Sequence, residues 1–588
     1  MGYDYALVHL QYTIPPAVAL TFCYYPLSTS LGLYKILFLI SIAVVSTTPW
    51  DSYLINTRIW TYPPNAIIGP TLFRIPAEEI FFFVIQTYNT SLLYLLLSKP
   101  TFHPVFLRGR KLLNDGRRLR QWRWLGILAI IASISTGVGL IMKNGEGLYM
   151  GLILAWAGPF VLLLWSLAYQ LILELPLSNT LIPIALPTLY LWFVDTLALR
   201  RGTWVIESGT KLGWHLWEGL EIEEATFFLV TNSLIVLGLV AFDNAYAILQ
   251  TFPTIFPTVP PLPSPILLVR ALLVPTSAYD DYRIEGLQQA LARLKAKSRS
   301  FYLASGVFQG RLRIDLVVLY SFCRVADDLV DDAASVEEAR HWIVKLNEYL
   351  DIVYGKDPDV KHAALDQFIA SIFPACAQAT LTFLPTAYLS PQPLYDLLKG
   401  FETDLLFGSS GPFPIHDQPT LQLYGARVAG TVAEACLELV FHHTRTLVPE
   451  NQRKRIAQAG GRMGIALQYV NIARDISVDA SNGRVYLPTT WLEEEGLTPK
   501  DIINDPTMSK AEVLRQRLLD SAMTIYHEAK AAIEELPQEA RGPMRVAVES
   551  YVEIGRVLRE PGYKLKAGRA TVPKLRRLRV AWKALNQK

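Results

Sequence analysis

Apolar residues gather into seven stretches in the first part of the chain, at about 5–24, 31–49, 77–98, 124–142, 149–173, 177–198 and 223–248. Each is long enough, at 1.5 Å per helical residue, to cross roughly 30 Å of hydrocarbon. The pattern predicts seven membrane-spanning helices. The first stretch has no basic leader and no small-residue cleavage site, and six more follow it, so it is read as a retained helix. Beyond residue 275 the pattern changes. Apolar residues recur at helical spacing among many charges, as in Leu287, Leu291 and Leu294, or Leu346, Leu350 and Val353. This predicts about 300 residues of all-α domain with a large core.

Charge sharpens the division. The first 250 residues carry 29 charged side chains and the remaining 338 carry 78. A single soluble domain is excluded, and so is a chain embedded throughout. Between 253 and 275 stand seven prolines, Pro253, Pro257, Pro260, Pro261, Pro263, Pro265 and Pro275. They predict an extended, semi-rigid tether. The expected domains are therefore 1–250 in the membrane, a linker at 251–282, and a soluble domain at 283–588. The loop at 99–123 holds eight basic residues against Asp115 alone. By the positive-inside rule it lies in the cytosol, which puts the second domain there too and the N-terminus on the opposite side. A net charge of +3 gives no reason to expect a nucleic-acid partner, and the lipid bilayer is the expected surroundings of the first part. Cys23, Cys323, Cys376 and Cys436 are far apart and form no metal or disulfide pattern.

The membrane part repeats itself. Asp51 and Asp195 each precede a tryptophan by nine residues, Trp60 and Trp204, and Glu78-Glu79 and Glu223-Glu224 each precede a Phe-Phe pair at the same offset. Two related three-helix halves joined through the fourth span are expected, with a site between them. An ionised carboxylate costs roughly 2.5 kcal/mol or more at the bilayer centre, so acids there are paired or functional. A neutral carboxyl can serve as a general acid. Interfacial capping of helix starts is the plainer alternative for these acids, and the repeat argues against it.

In the soluble part, YSFCRVADDLVDD (320–332) and QYVNIARDISVD (468–479) each contain Asp-x-x-x-Asp. Residues i and i+4 share a helix face, so Asp327 with Asp331, and Asp475 with Asp479, aim two carboxylates one way. Asn471 adds a carbonyl oxygen to the second face. Hard oxygens of this kind suit Mg²⁺ shared with a phosphate-bearing substrate, with Mn²⁺ as a substitute. Arg324 and Arg474 supply forked donors for diphosphate oxygens.

CRVADDLVD, YGARVAGTVAE, QYVNIARDISVD, GRVYLP and YVEIG follow the order found in the squalene and phytoene synthase family, which residues 290–570 resemble. The resemblance implies an all-α isoprenoid-synthase fold joining two prenyl diphosphates head to head. It implies that Asp327, Asp331, Asn471, Asp475 and Asp479 hold the metal. It further implies that Arg324, Arg474, Tyr320, Ser298, Ser300, Tyr424, Gln468, Tyr551 and Arg569 line the substrate sites. RIPAEEIFFF and its echo GLEIEEATFF resemble membrane lycopene cyclases built from two three-helix halves, fused here as in fungal bifunctional carotenoid enzymes. Glu221 departs from the pattern, standing where Pro76 leads one to expect proline.

That likeness implies proton-initiated ring closure on lycopene by Glu78, Glu79, Glu223 and Glu224, without a cofactor. Phe82, Phe83, Phe227, Phe228, Trp60 and Trp204 would supply ring faces for the cation. The implied substrates are geranylgeranyl diphosphate and lycopene, with a carotene desaturase as a further partner. Two other readings follow from the same residues. A membrane-anchored squalene synthase would use farnesyl diphosphate and NADPH, but seven spans with a repeat exceed an anchor. A seven-helix retinal sensor needs a lysine in its last helix, and 222–250 contains none.

Overall fold

The computed structural model describes residues 2–63, 66–108, 117–355, 358–407, 412–444, 446–563 and 572–587. It divides into two compact units, Met1–Ile284 and Glu285–Lys588. Arg569, and Arg110, Lys111 and Asp115 of the basic loop, lie outside the described residues.

The first unit contains the seven long apolar helices expected: α1 (Asp4–Leu27), α2 (Ser30–Asn56), α3 (Ala77–Ser98), α4 (Arg117–Lys143), α5 (Leu148–Glu174), α6 (Leu177–Arg201) and α7 (Ile222–Thr251). α1 passes through a π-turn at His9–Thr13, just before Pro15 and Pro16. Neither proline has an N–H to donate, so the hydrogen-bond ladder shifts there. α2 runs further than its apolar stretch and brings Asp51 into its last turns, buried. α3 and α7 are the most enclosed spans, whereas α4 leaves almost all of its surface outward and packs on α5.

Short strands organise the loops before α3 and α7. β1 (Trp60–Thr61) pairs antiparallel with β4 (Val205–Ile206), placing Trp60 opposite Ile206. This ladder ties one half of the repeat to the other. β2 (Thr71–Leu72) pairs with β3 (Ile75–Pro76), and β5 (His215–Trp217) with β6 (Leu220–Glu221). Each hairpin runs straight into a helix whose first turn carries two glutamates.

The proline-rich stretch expected to be an extended tether contains a helix, α8 (Pro265–Leu272). Pro265 sits where a helix needs no N–H, and the Ser264 side chain caps the start. Leu268 and Ala271 pack in one cluster with Phe242, Ala245 and Ile248 of α7.

The second unit is all-α among the described residues. The elements that matter are α9 (Arg299–Ser305), α10 (Gly310–Asp331), α11 (Val336–Val353), α12 (Pro391–Asp404), α13 (Thr431–His443), α14 (Glu450–Ser481), α15 (Ser509–Ala529) and α16 (Gln538–Leu558). One core cluster gathers Leu319 and Phe322 of α10 with residues of α11, α12 and α13. A second gathers Tyr469, Ile472 and Ile476 of α14 with α15 and α16. These are the apolar faces of the two helices that carry the aspartates.

Candidate active sites

The membrane unit buries four glutamates in two matched pairs. Glu78 and Glu223 each hold a loop: Oε1 of Glu78 accepts from the Ile68 N–H at 2.7 Å, and Oε1 of Glu223 from the Leu212 N–H at 2.7 Å. Glu79 and Glu224 face phenols instead. Tyr5 donates to Glu79 Oε2 at 2.6 Å and Tyr62 to the same oxygen at 2.8 Å, while Tyr149 donates to Glu224 Oε1 at 2.8 Å. Tyr5 and Tyr149, Asp51 and Asp195, Trp60 and Trp204, and Ile68 and Leu212 all stand 144 residues apart. The repeat thus extends beyond the motifs, to the first turns of α1 and α5.

Asp51 and Asp195 join this interior. Asp195 Oδ1 accepts from the Trp204 indole at 3.2 Å. Oδ2 of both aspartates and Oε2 of Glu78, Glu223 and Glu224 are buried with no hydrogen-bond partner among the described residues. Leaving such an atom unpaired costs about 1–3 kcal/mol, a burden that a chain retains where chemistry needs it. Among the described residues no cation is bonded to Glu79 or Glu224. Glu221, the departure from proline, bonds Lys211 at 2.6 Å, which explains a charge at that place.

Trp60, Trp204, Phe82, Phe83, Phe227 and Phe228 all belong to one buried cluster. Tyr5 lies 5.0 Å from Trp204 and Tyr149 lies 6.1 Å from Trp60, ring centre to ring centre, so each half's tyrosine touches the other half's tryptophan. Trp50 stacks on Phe227 at 5.6 Å and 6°. The result is an apolar, aromatic interior containing carboxyls as its hydrogen-bonding acids.

The second unit handles its acids differently. Arg324 pairs with Asp327 at 2.6 Å and Asp328 at 2.8 Å. Arg474 bonds Asp475 at 2.6 and 2.8 Å and Asn471 at 2.5 Å. Arg484, in the turn after α14, donates to Asp331 at 2.9 Å, while its backbone N–H bonds the Asp479 carbonyl. Gly483 makes that turn at φ +72°, where glycine is favoured. The turn thereby draws the end of α10 to the end of α14.

Behind them, Asp404 accepts from Tyr424 at 3.0 Å and from Tyr486 at 2.8 Å. Burial pushes its carboxyl up to about 6, against those phenols and the nearby Arg484. Asp327 is pushed up to about 7 by burial and by Asp331, with Arg324 opposing. Tyr551 donates to Asn471 at 3.0 Å and its ring stacks on Phe301 at 5.2 Å. Ser298 caps α9, hydrogen-bonding the Phe301 N–H and Tyr320. Ser300 instead donates to the Ser550 carbonyl, and Gln468 is half-buried on the face of Asn471 and Asp475.

Among the described residues no three acidic, histidine or cysteine side chains converge on one point. Asp327, Asp331 and Asp475 are each held by an arginine. Mg²⁺ takes one or two carboxylates together with water and phosphate, so a paired set of hard oxygens fits it. The sequence reading omitted Tyr5, Tyr62, Tyr149, Asp404, Arg484 and Tyr486. Arg484 and Tyr486 were within sight in the GRVYLP motif. The 144-residue spacing would have flagged Tyr5 and Tyr149.

The sequence profile of the squalene/phytoene synthase family matches residues 294–576. Over its whole length, and the whole of each relative, the chain is 60% identical to a bifunctional lycopene cyclase/phytoene synthase of Leptosphaeria maculans. Proteins of the same description from Pyrenophora tritici-repentis and Gibberella fujikuroi are 58% and 56% identical, again across the full length of both chains.

Proposed function

The chain belongs to the bifunctional lycopene cyclase/phytoene synthases, and from that premise we propose how its two units divide the work. The membrane unit closes β-rings on lycopene. The second unit joins two geranylgeranyl diphosphates head to head into phytoene. The observation that carries this division is the contrast in partners: phenols and amides around Glu78, Glu79, Glu223 and Glu224, arginine forks around Asp327, Asp331 and Asp475.

In the second unit Asp327, Asp331, Asn471, Asp475 and Asp479 would hold Mg²⁺. The bound metal would neutralise the diphosphate leaving group. Arg324, Arg474 and Arg484 bind diphosphate oxygens once their aspartates turn to the metal. Tyr320, Tyr424, Tyr551 and Phe301 line the prenyl side and keep water from the allylic cation. Asp404 fixes the Tyr424 and Tyr486 hydroxyls.

In the membrane unit Glu79 and Glu224 exchange protons with the substrate. Glu78 and Glu223 hold the loops that close over it. Ring closure on lycopene needs a proton given and a proton taken and no net oxidation, so carboxyls suffice. The basic 99–123 loop and the odd number of spans support a cytosolic position for residues 252–588, with the N-terminus opposite.

Membranes containing the full chain, given labelled geranylgeranyl diphosphate and Mg²⁺, will form phytoene without NADPH, and given lycopene will form cyclic carotenes. Squalene made from farnesyl diphosphate and NADPH, with no phytoene, would overturn the assignment of the second unit.

A further inference from the structure

Around the paired glutamates the two halves differ in their phenols. The 144-residue offset pairs Tyr62 with Ile206. Glu79 therefore receives two phenol hydroxyls on a single oxygen, from Tyr5 and Tyr62, at 2.6 and 2.8 Å. Glu224 receives one, from Tyr149, on Oε1. Its Oε2 is wholly buried and has no partner among the described residues. Where a second tyrosine would stand, Ile206 lies in the ladder opposite Trp60.

We infer that Glu224 is the proton donor and Glu79 the proton acceptor in ring closure, an assignment that rests on the reading of these acids given above. Two donors converging on one carboxyl oxygen support its charged, accepting form. Burial and the adjacent Glu79 hold the Tyr62 phenol well above its ordinary range, so it stays a donor. Among the described residues Glu224 receives no second phenol and no cation bonds it. An O–H on that oxygen meets no acceptor among the described residues, and a substrate double bond is the acceptor the site leaves for it. The two carboxyls are electrostatic neighbours across the repeat, as two ends of one reaction require.

The step balances. The Glu224 O–H bond breaks and a C–H bond forms on the terminal double bond of lycopene, leaving a tertiary cation. The electron pair of the neighbouring double bond makes the ring C–C bond. A C–H bond on the ring then breaks, its pair becomes the ring double bond, and the proton passes to Glu79. No electrons are gained or lost. Exchange with water restores both carboxyls before the next turnover.

Full-chain membranes are incubated with lycopene in deuterated water. Ring formation falls about 100-fold or more in both Glu224→Gln and Glu79→Gln. The lycopene recovered from Glu224→Gln carries no deuterium, because nothing delivers it. That recovered from Glu79→Gln carries deuterium at its termini, because protonation proceeds and reverses. Tyr62→Phe slows ring formation and also leaves labelled lycopene. The opposite pattern, label with Glu224→Gln and none with Glu79→Gln, overturns the assignment, as does absence of label from Glu79→Gln while Tyr62→Phe still cyclises. Normal ring formation in both glutamate variants instead overturns the underlying reading that these acids act on lycopene.

Discussion

Both units bury acids, and they neutralise them by different means. In the membrane unit Glu79 and Glu224 take hydrogen bonds from Tyr5, Tyr62 and Tyr149, which carry no charge. In the second unit Asp327, Asp331 and Asp475 are met by Arg324, Arg484 and Arg474. A neutral donor leaves a carboxyl able to give or take a proton. A guanidinium brings a full positive charge to the carboxyl and favours its ionised form. The membrane unit also has acids paired with cations, Glu221 with Lys211 and, deep in the unit, Asp243, which pairs with Lys35 and accepts from Tyr94 at 2.7 Å. Asp243 sits near the far end of α7 from Glu223 and Glu224.

Exchanging the acids tests the separation most severely. Asp331→Asn will abolish phytoene formation, by about 100-fold or more, yet leave cyclisation of supplied lycopene intact, and Glu224→Gln will do the reverse. Product analysis on each variant checks both. The buried ion pair should behave as structure alone. Lys35→Met strands a buried carboxylate and will cost about 3–5 kcal/mol of stability in the membrane unit, whereas Lys35→Met with Asp243→Leu will recover most of it. Thermal unfolding in detergent measures the difference.

A smaller effect lies at the packing of α14. A Cβ on Gly464 would stand 2.5 Å from the Ala429 carbonyl oxygen, in the π-turn Ala426–Gly430 that follows Tyr424. Gly464→Ala will destabilise the second unit by about 1–3 kcal/mol and lower phytoene synthesis without touching ring closure. The smallest effect is one of pH. Asp327 in the folded chain holds its proton up to about 7, and Mg²⁺ needs the ionised form. Apparent Mg²⁺ affinity will therefore fall as pH drops below 7, by up to about tenfold per unit. Titration calorimetry in two buffers will show proton release in that window, and Asp327→Asn will remove it.

Much of this architecture was legible in the sequence because hydrophobic length and helical spacing act locally. The seven spans, the all-α second unit and the two aspartate faces follow from residues within a few turns of one another. The glutamate pairs were legible because a repeat states them twice. What escaped depends on distance along the chain. Tyr5 reaches Glu79 across 74 residues, and Arg484 reaches Asp331 across 153. No local pattern announces such pairings. Asp51 lies past the apolar run at 31–49, yet α2 continues beyond that run and buries it. The proline-rich segment misled for a different reason. Proline forbids a helix interior but favours its first turn, and Ser264-Pro265 begins one.

The central claim, that one chain makes a charged-substrate condensation and an uncharged ring closure with separate sets of acids, has a direct test. The full chain and its Glu224→Gln variant are expressed in a host that supplies geranylgeranyl diphosphate and a desaturase, and the pigments are resolved. Cyclic carotenes from the parent chain and lycopene alone from the variant, at equal total carotenoid, are the result expected. Cyclic carotenes from both, or loss of all carotenoid in the variant, would contradict it.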